Sequence, residues 1–442
     1  MAQGQTAPHA TPRTAPAMRH GAARRAVVAG LSVLALGTTA LLPARAATAV
    51  RPTADPAVVT DWNATAVDVI NKDAERPSGE PFVWQGFVSA AVYNAVVGIE
   101  GRYAPYKWDE RGPAGASSEA AAAAAAHRVL LEYFPGSKAR VDAALRTSLG
   151  KVRDGRAEDE GVAFGRRAAD HVIALRENDG RGADVPYDRR PAPGVWRPTP
   201  PDHAPFLNPW AARMRPMLME SPDRFRPGPP PALDSERYTR DFEEVKAYGA
   251  KHGSRRDARQ TETARFFSDN LTVQFQWSLR DYAERHGLDI VDSARLFAAA
   301  NTVGADVYVM ATDSKLHYAL WRPVTAVRLA DTDGNPATVP DQDWQPMLDT
   351  PPYPEYMSGH NVLDGAVTAV LTGLTGGEID LRMSSAVTGT TRHYETAAEF
   401  NREVTDARVW QGLHFRTSDV VGNRQGSLLG TWALSRYFLP LA

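Results

Sequence analysis

Large apolar side chains recur three and four residues apart through most of this chain, the spacing of one face of a helix. VTDWNATAVDVINKDA and PFVWQGFVSAAVYNAVVGIE carry the pattern first. SSEAAAAAAAHRVLLEYF places two serines before an alanine run, a cap followed by strong helix formers. AEDEGVAFGRRAADHVIALRENDG opens on acids and closes on glycine, which suits the helix dipole and a C-cap. SERYTRDFEEVKAYGAKHG, ARQTETARFFSDN and DIVDSARLFAAANTVGADVYVMATDSKLHYALW continue it, the last running to Arg322-Pro323. An apolar run, NVLDGAVTAVL, follows PPYPEYMSGH, and ETAAEFNREVTDARVWQGLHF and TSDVVGNRQGSLLGTWALSRYFL finish the chain. Few runs alternate as strands do. The pattern predicts an all-α protein, one large helix bundle or two packed ones.

Two stretches interrupt it. Residues 182–233, with PYDRRPAPGVWRPTPPDHAPFLNPW and RFRPGPPPAL, read either as a long packed, functional loop or as a linker between two helical halves. DTDGNPATVPDQDWQPMLDTPPYP is the second. Its Asp331, Asp333 and Asn335 have calcium-loop spacing, but Pro336 stands where such a loop needs glycine and Gln342 where it needs glutamate. It reads as a solvated turn.

The start of the chain differs in kind. Four arginines and no acid precede Ala26, an uncharged run extends to Leu42, and Ala44-Arg45-Ala46 follows. A basic region, an apolar core and an A-x-A site predict a secretory signal over residues 1–46, with Arg24-Arg25 pointing to twin-arginine export. The mature protein is then secreted or otherwise extracytoplasmic, with no stable membrane insertion once the signal is cleaved. The alternative is an uncleaved anchor, since the run is at the short edge of spanning length.

Composition narrows the partners. The 442 residues include 50 basic and 52 acidic side chains. Loss of the five arginines in residues 1–46 leaves 45 basic side chains and a net charge of -7. That balance argues against nucleic acid as a main partner. The chain has no cysteine, so stability rests on packing alone.

Candidate chemistry gathers in the last third. In KLHYALWRP, Lys315 and Arg322 are seven residues apart, which predicts one helical face carrying two cations. Ordinary salt bridges are the other reading of that pair. In MSGHN, Ser358 can cap the following helix and Gly359 allows close backbone approach, so the helix start can seat an anion. His360 is placed to move a proton there; a plain cap with a surface histidine fits the same residues. In DARVWQGLHFRTSD, Arg408 offers a planar donor fork, and His414 is a metal ligand, a nucleophile or a packed core histidine. The three clusters together supply what a tetrahedral oxyanion needs.

Lys, six residues, Arg-Pro; then Ser-Gly-His; then Arg, five residues, His: this order resembles the superfamily of vanadium-dependent haloperoxidases and type 2 phosphatidic acid phosphatases. PGVWRPTP and RPGPPPALDSERY resemble its soluble bacterial haloperoxidase branch. The resemblance implies an exported all-helical enzyme over residues 47–442, with its motifs in 315–419. It implies vanadate as cofactor, held by Lys315, Arg322, Ser358, Gly359 and Arg408, with His414 as axial metal ligand and His360 as the acid–base residue. Hydrogen peroxide, halide and an organic acceptor are the implied substrates, hypohalous acid the product. With phosphate in the same pocket, the resemblance implies hydrolysis of phosphate monoesters through a phosphohistidine at His414. The chain departs from the family pattern at Met357 for proline, Ala407 for serine, Ser418 for the phosphatase aspartate and Thr312 for a tryptophan. Tyr353 keeps the aromatic of chlorinating members.

Overall fold

A computed structural model describes residues 54–77 and 79–441. The export signal expected in residues 1–46 lies outside the described residues. Among the described residues thirteen α-helices form the framework, in agreement with the all-α reading. They are α1 (Ala57–Val67), α2 (Pro81–Glu100), α3 (Ser118–Tyr133), α4 (Lys138–Leu149), α5 (Arg156–Leu175), α6 (Glu236–Tyr248), α7 (Ala258–Phe266), α8 (Leu271–Arg285), α9 (Ile290–Tyr318), α10 (Pro323–Arg328), α11 (Gly359–Thr375), α12 (Ala397–Trp410) and α13 (Arg416–Leu434).

Local chemistry sets several of the boundaries. Ser117 caps α3 by accepting from the Ala120 N–H. Asp257 with Gln260, and Thr396 with Glu399, form capping boxes at the starts of α7 and α12. Asp289 caps the 29-residue α9 through the N–H groups of Val291 and Asp292. The expected close of α5 at Gly180 is corrected: the helix ends at Leu175, where Arg176 turns inward to pair with Asp179 and the Pro216 carbonyl.

Two bundles share α9. In the first, α2 is buried on every side from Pro81 to Gly98 and packs on α3, α5 and α9. Among the described residues α2 is also the one helix long and apolar enough to cross a membrane, and here it is a core helix. In the second, α11 packs on α13, α9 and α12. The α11–α13 contact is unusually close because glycines line it. A Cβ at Gly426 would sit 1.8 Å from the Val362 carbonyl oxygen, one at Gly365 2.1 Å from that of Asn423, and one at Gly430 2.5 Å from that of Ala366. This contact fixes the start of α11 against the C-terminal bundle.

A hairpin of β1 (Leu381–Ser385) and β2 (Thr390–Tyr394), in antiparallel register Leu381↔Tyr394, was not expected from the helical pattern. Five-residue strands give little alternation to read. Only β1 shows it, with Leu381, Met383 and Ser385 buried. Asp380 ties the hairpin to α8 by accepting from His286 at 2.7 Å.

The stretch over 182–233 lies along α9. Asp306 of α9 accepts from the N–H groups of Met217, Leu218 and Met219, and Asp313 pairs with Arg226 at 2.7 Å. The backbone N–H of Trp196 donates to the Ala319 carbonyl, just past the end of α9. The turn around Asp331, expected to be solvated, is only partly so. Asp333 accepts from the Asn335 N–H and the Thr338 hydroxyl, Asn335 donates to the Leu233 carbonyl, and both are buried.

Candidate active site

Lys315 lies buried in the last turn of α9. Its Nζ donates to the carbonyls of Pro354 (3.1 Å), Glu355 (2.9 Å) and Met357 (2.6 Å). The single helical face predicted for Lys315 and Arg322 does not exist. α9 ends at Tyr318, Ala319 takes a left-handed φ of 51°, and Arg322 stands as the N-cap of α10 with Pro323 behind it. The two cations nevertheless converge, because the turn carries Arg322 back. Lys315 Nζ lies 5.2 Å and Arg322 Cζ 4.8 Å from the centre of the Tyr353 ring. Arg322 is fully buried; its Nε donates to the Tyr353 carbonyl at 2.8 Å and its Nη1 to the Leu413 carbonyl at 2.9 Å.

Ser358 is the N-cap of α11 by position, yet its hydroxyl makes no cap bond. It is fully buried, 3.5 Å from Asn361 Nδ2. Asn361 donates in turn to Asp419 at 2.8 Å and accepts from Thr405 at 2.7 Å. Beside Gly359, no atom lies within 4 Å of where a Cβ would stand. The first N–H groups of α11 have no intrahelical acceptor and face a helix start, where anions are favoured.

Arg408, in the last turn of α12, is buried with Nη1 donating to Gln411. His414 sits in the turn between α12 and α13, 2% exposed. Its Nε2 is 3.2 Å from Arg322 Nη1, and its Nδ1 is 2.8 Å from Glu355 Oε1. Glu355 had no place in the sequence reading. Its signal was there, since a lone acid within the buried-looking PPYPEYMSGH must find partners inside. Asp419, close in sequence to His414, serves Asn361 instead.

Burial and the three neighbouring cations hold His360 well below the ordinary histidine range, and the same causes lower His414. Burial lowers Lys315, with Arg322 adding to it, and pushes Arg408 down to about 10. On the acidic side, burial lifts Glu355 to about 7 against the pull of Arg322 and Lys315, and raises Asp364 and Asp419 well above the carboxylate range. Carboxyls whose ionisation burial opposes compensate the buried cations only in part. Arg322 Nη2 and Arg408 Nε, both buried, find no hydrogen-bond partner among the described residues. Two unpaired planar donors, an imidazole nitrogen and a helix start fit a tetrahedral oxyanion such as vanadate or phosphate.

A cavity of about 60 Å³ reaches Lys315, Tyr353, Gly359 and His360. Its other walls are largely apolar, with Phe82, Phe206, Leu207, Leu271 and Val307; Thr312 lies beside them. The 182–233 stretch thus supplies part of the wall. The structure therefore brings all seven residues singled out by sequence to one place: Lys315, Gly359 and His360 at the cavity, Arg322, Ser358, Arg408 and His414 buried about it.

Residues 295–439 match a family model described as the VCPO second helical-bundle domain. No curated protein sequence matches this chain significantly. Among solved structures, the chain is similar to a bacterial vanadium-dependent iodoperoxidase, with a TM-score of 0.76 and 23% identity over 88% of this chain and 98% of the other. It is similar to a holo-type bacterial vanadium-dependent chloroperoxidase as well, with a TM-score of 0.66 and 20% identity over 86% and 97%. An apo-type bacterial chloroperoxidase gives 0.63 and 19% over 80% and 92%. Residues 295–439 are thus similar to the VCPO second helical-bundle domain, and the chain shares its fold with bacterial vanadium-dependent haloperoxidases of known structure.

Proposed function

We propose that the protein is an exported vanadium-dependent haloperoxidase that oxidises halide with hydrogen peroxide to hypohalous acid, which passes to an organic acceptor. The observation that carries this reading is the pair of buried, unpartnered guanidinium donors, Arg322 Nη2 and Arg408 Nε, set around His414. Bound vanadate supplies activation of peroxide toward attack by halide. Arg322, Arg408 and Lys315 would compensate the negative charge of that group, the Ser358 hydroxyl and Gly359 N–H would donate to it, and His414 Nε2 would ligate it. These donors are fixed before the reaction, so they need no reorganisation as charge shifts. His360, at the cavity wall and held well below the ordinary histidine range, would accept the proton of an incoming peroxide. The apolar walls exclude bulk water from that transfer.

The test is a paired assay of the purified protein. Vanadate-loaded protein with peroxide and iodide, bromide or chloride is expected to halogenate a dione. A phosphate monoester, offered without vanadate, is expected to remain intact. Phosphate release with no halogenation at any halide would sink this reading in favour of a phosphatase that uses His414 as nucleophile.

A further inference from the structure

Glu355 reaches His414 across 59 residues of sequence, and its contacts decide where the imidazole proton sits. Oε1 accepts the backbone N–H of Phe415 at 3.0 Å, so this oxygen is an acceptor whatever the carboxyl's protonation state. His414 Nδ1 lies 2.8 Å from the same oxygen and donates to it whenever that oxygen carries no proton. On the other side of the ring, Arg322 Nη1 lies 3.2 Å from Nε2, and a guanidinium can only donate. The Arg322 contact requires the lone pair on Nε2, and Glu355 Oε1 is the acceptor placed to take the proton that is then on Nδ1. Glu355 is itself held: it is fully buried, its backbone N–H donates to the Leu320 carbonyl at 2.9 Å, and its own carbonyl accepts from Lys315.

We infer that Glu355 is the positioning residue of this site: it fixes the ring of His414 as the Nδ1–H tautomer and keeps Nε2 available as a ligand or nucleophile. The oxyanion reading of the pocket enters only in what Nε2 meets. A hydrogen bond from the distal nitrogen orients a ligating histidine and raises its basicity, and losing such a partner weakens binding about 10- to 100-fold. The rival role for Glu355 is a counter-charge for Lys315 and Arg322. Glu355→Gln separates the two, because it removes the charge and keeps an acceptor oxygen. Glu355→Leu removes both.

Nitrogen-15 NMR of ring-labelled histidine, with His414 assigned by the signals missing from His414→Gln, reads the tautomer in the unmodified protein. Calorimetric titration with inorganic phosphate and with vanadate reads the affinity. The expected results are an Nδ1–H signal for His414, Glu355→Gln binding within a few-fold of the parent and Glu355→Leu at least tenfold weaker. An Nε2–H signal overturns the inference even if neither variant folds. So does a Gln variant as impaired as the Leu variant, or a Leu variant that binds as the parent does. If the parent binds neither anion but shows the Nδ1–H tautomer, the oxyanion reading fails and the positioning role of Glu355 stands.

Discussion

Tyr353 is where two buried cations come to tolerate one another. Lys315 and Arg322 both lie over its ring, and a desolvated cation–π contact contributes up to about 2 kcal/mol. Tyr353→Leu is expected to lower stability by about 1–3 kcal/mol in urea unfolding, while Tyr353→Phe, which keeps the ring face, stays within about 0.5 kcal/mol. His360 gives a second residue-scale expectation. Burial and the charges of Arg408, Lys315 and Arg322 lower its pKa, so in anion-free protein it stays neutral as pH falls through about 6.5, where the unfolded chain takes up a proton. Its folded pKa is depressed, so the unfolded state binds more protons over this range, and stability is lost as pH falls below about 6.5. Phosphate compensates the three cations and should move the His360 titration upward. An NMR titration with and without phosphate checks both points, and a His360 that titrates near 6.5 in anion-free protein contradicts them. At this scale, spacing within the three short blocks sufficed to find Lys315, Arg322, Ser358, Gly359, His360, Arg408 and His414. It did not find Glu355: a lone acid in an apolar segment signals buried partners, but nothing local names His414, 59 residues away, as the partner.

The helix α11 brings Ser358–His360 to the pocket only because α13 lies almost against its backbone. The groups that would meet a Cβ at Gly426 are the carbonyl of Val362 and the N–H of Ala366, main-chain atoms that no rotamer change can move aside. Gly426→Ala should therefore push the two helices apart and cost about 1–3 kcal/mol or more. Because the first turn of α11 moves with it, anion affinity should fall as well. Gly377→Ala, where nothing stands within 4 Å, serves as the control and should leave melting temperature and affinity unchanged. An unaltered melting temperature for Gly426→Ala would show that the helices are not in this close register. Elements were legible from the spacing of apolar residues in α2 and α12, and in α3 from the serine cap and the alanine run behind it. The extension of α9 through Arg322 was wrong because the apolar run of Leu320 and Trp321 continues past the helix: Ala319 turns left-handed, and both residues pack against the end of the bundle. The hairpin stayed hidden because β2, TTRHY, buries only Tyr394.

The pocket is assembled from the end of α9, the start of α10, residues 353–360, the end of α12 and the turn before α13. No one of these segments makes an anion site alone; folding brings their cations together at a cost in mutual repulsion and lost hydration. An oxyanion that removes this cost binds the native state and not the unfolded chain. Native stability must then rise as RT ln(1 + [L]/Kd), about 2.7 kcal/mol at a hundredfold excess over Kd. The whole molecule should therefore report on the pocket: phosphate and vanadate raise the melting temperature by several degrees in a dose-dependent way, and chloride at equal ionic strength does not. The two kinds of residue that build the site respond differently. Arg408→Ala removes a buried donor and part of the repulsion together, so the anion-free protein changes little in melting temperature or even gains, while the ligand-induced rise shrinks. Glu355→Leu leaves His414 Nδ1 and the Phe415 N–H buried without their acceptor, so the anion-free protein loses stability first and then fails to recover it with ligand. Calorimetric scans of the three proteins across phosphate concentration decide the matter. A melting temperature that does not respond to either oxyanion in the parent protein would mean that these cations are balanced within the fold and await no ligand.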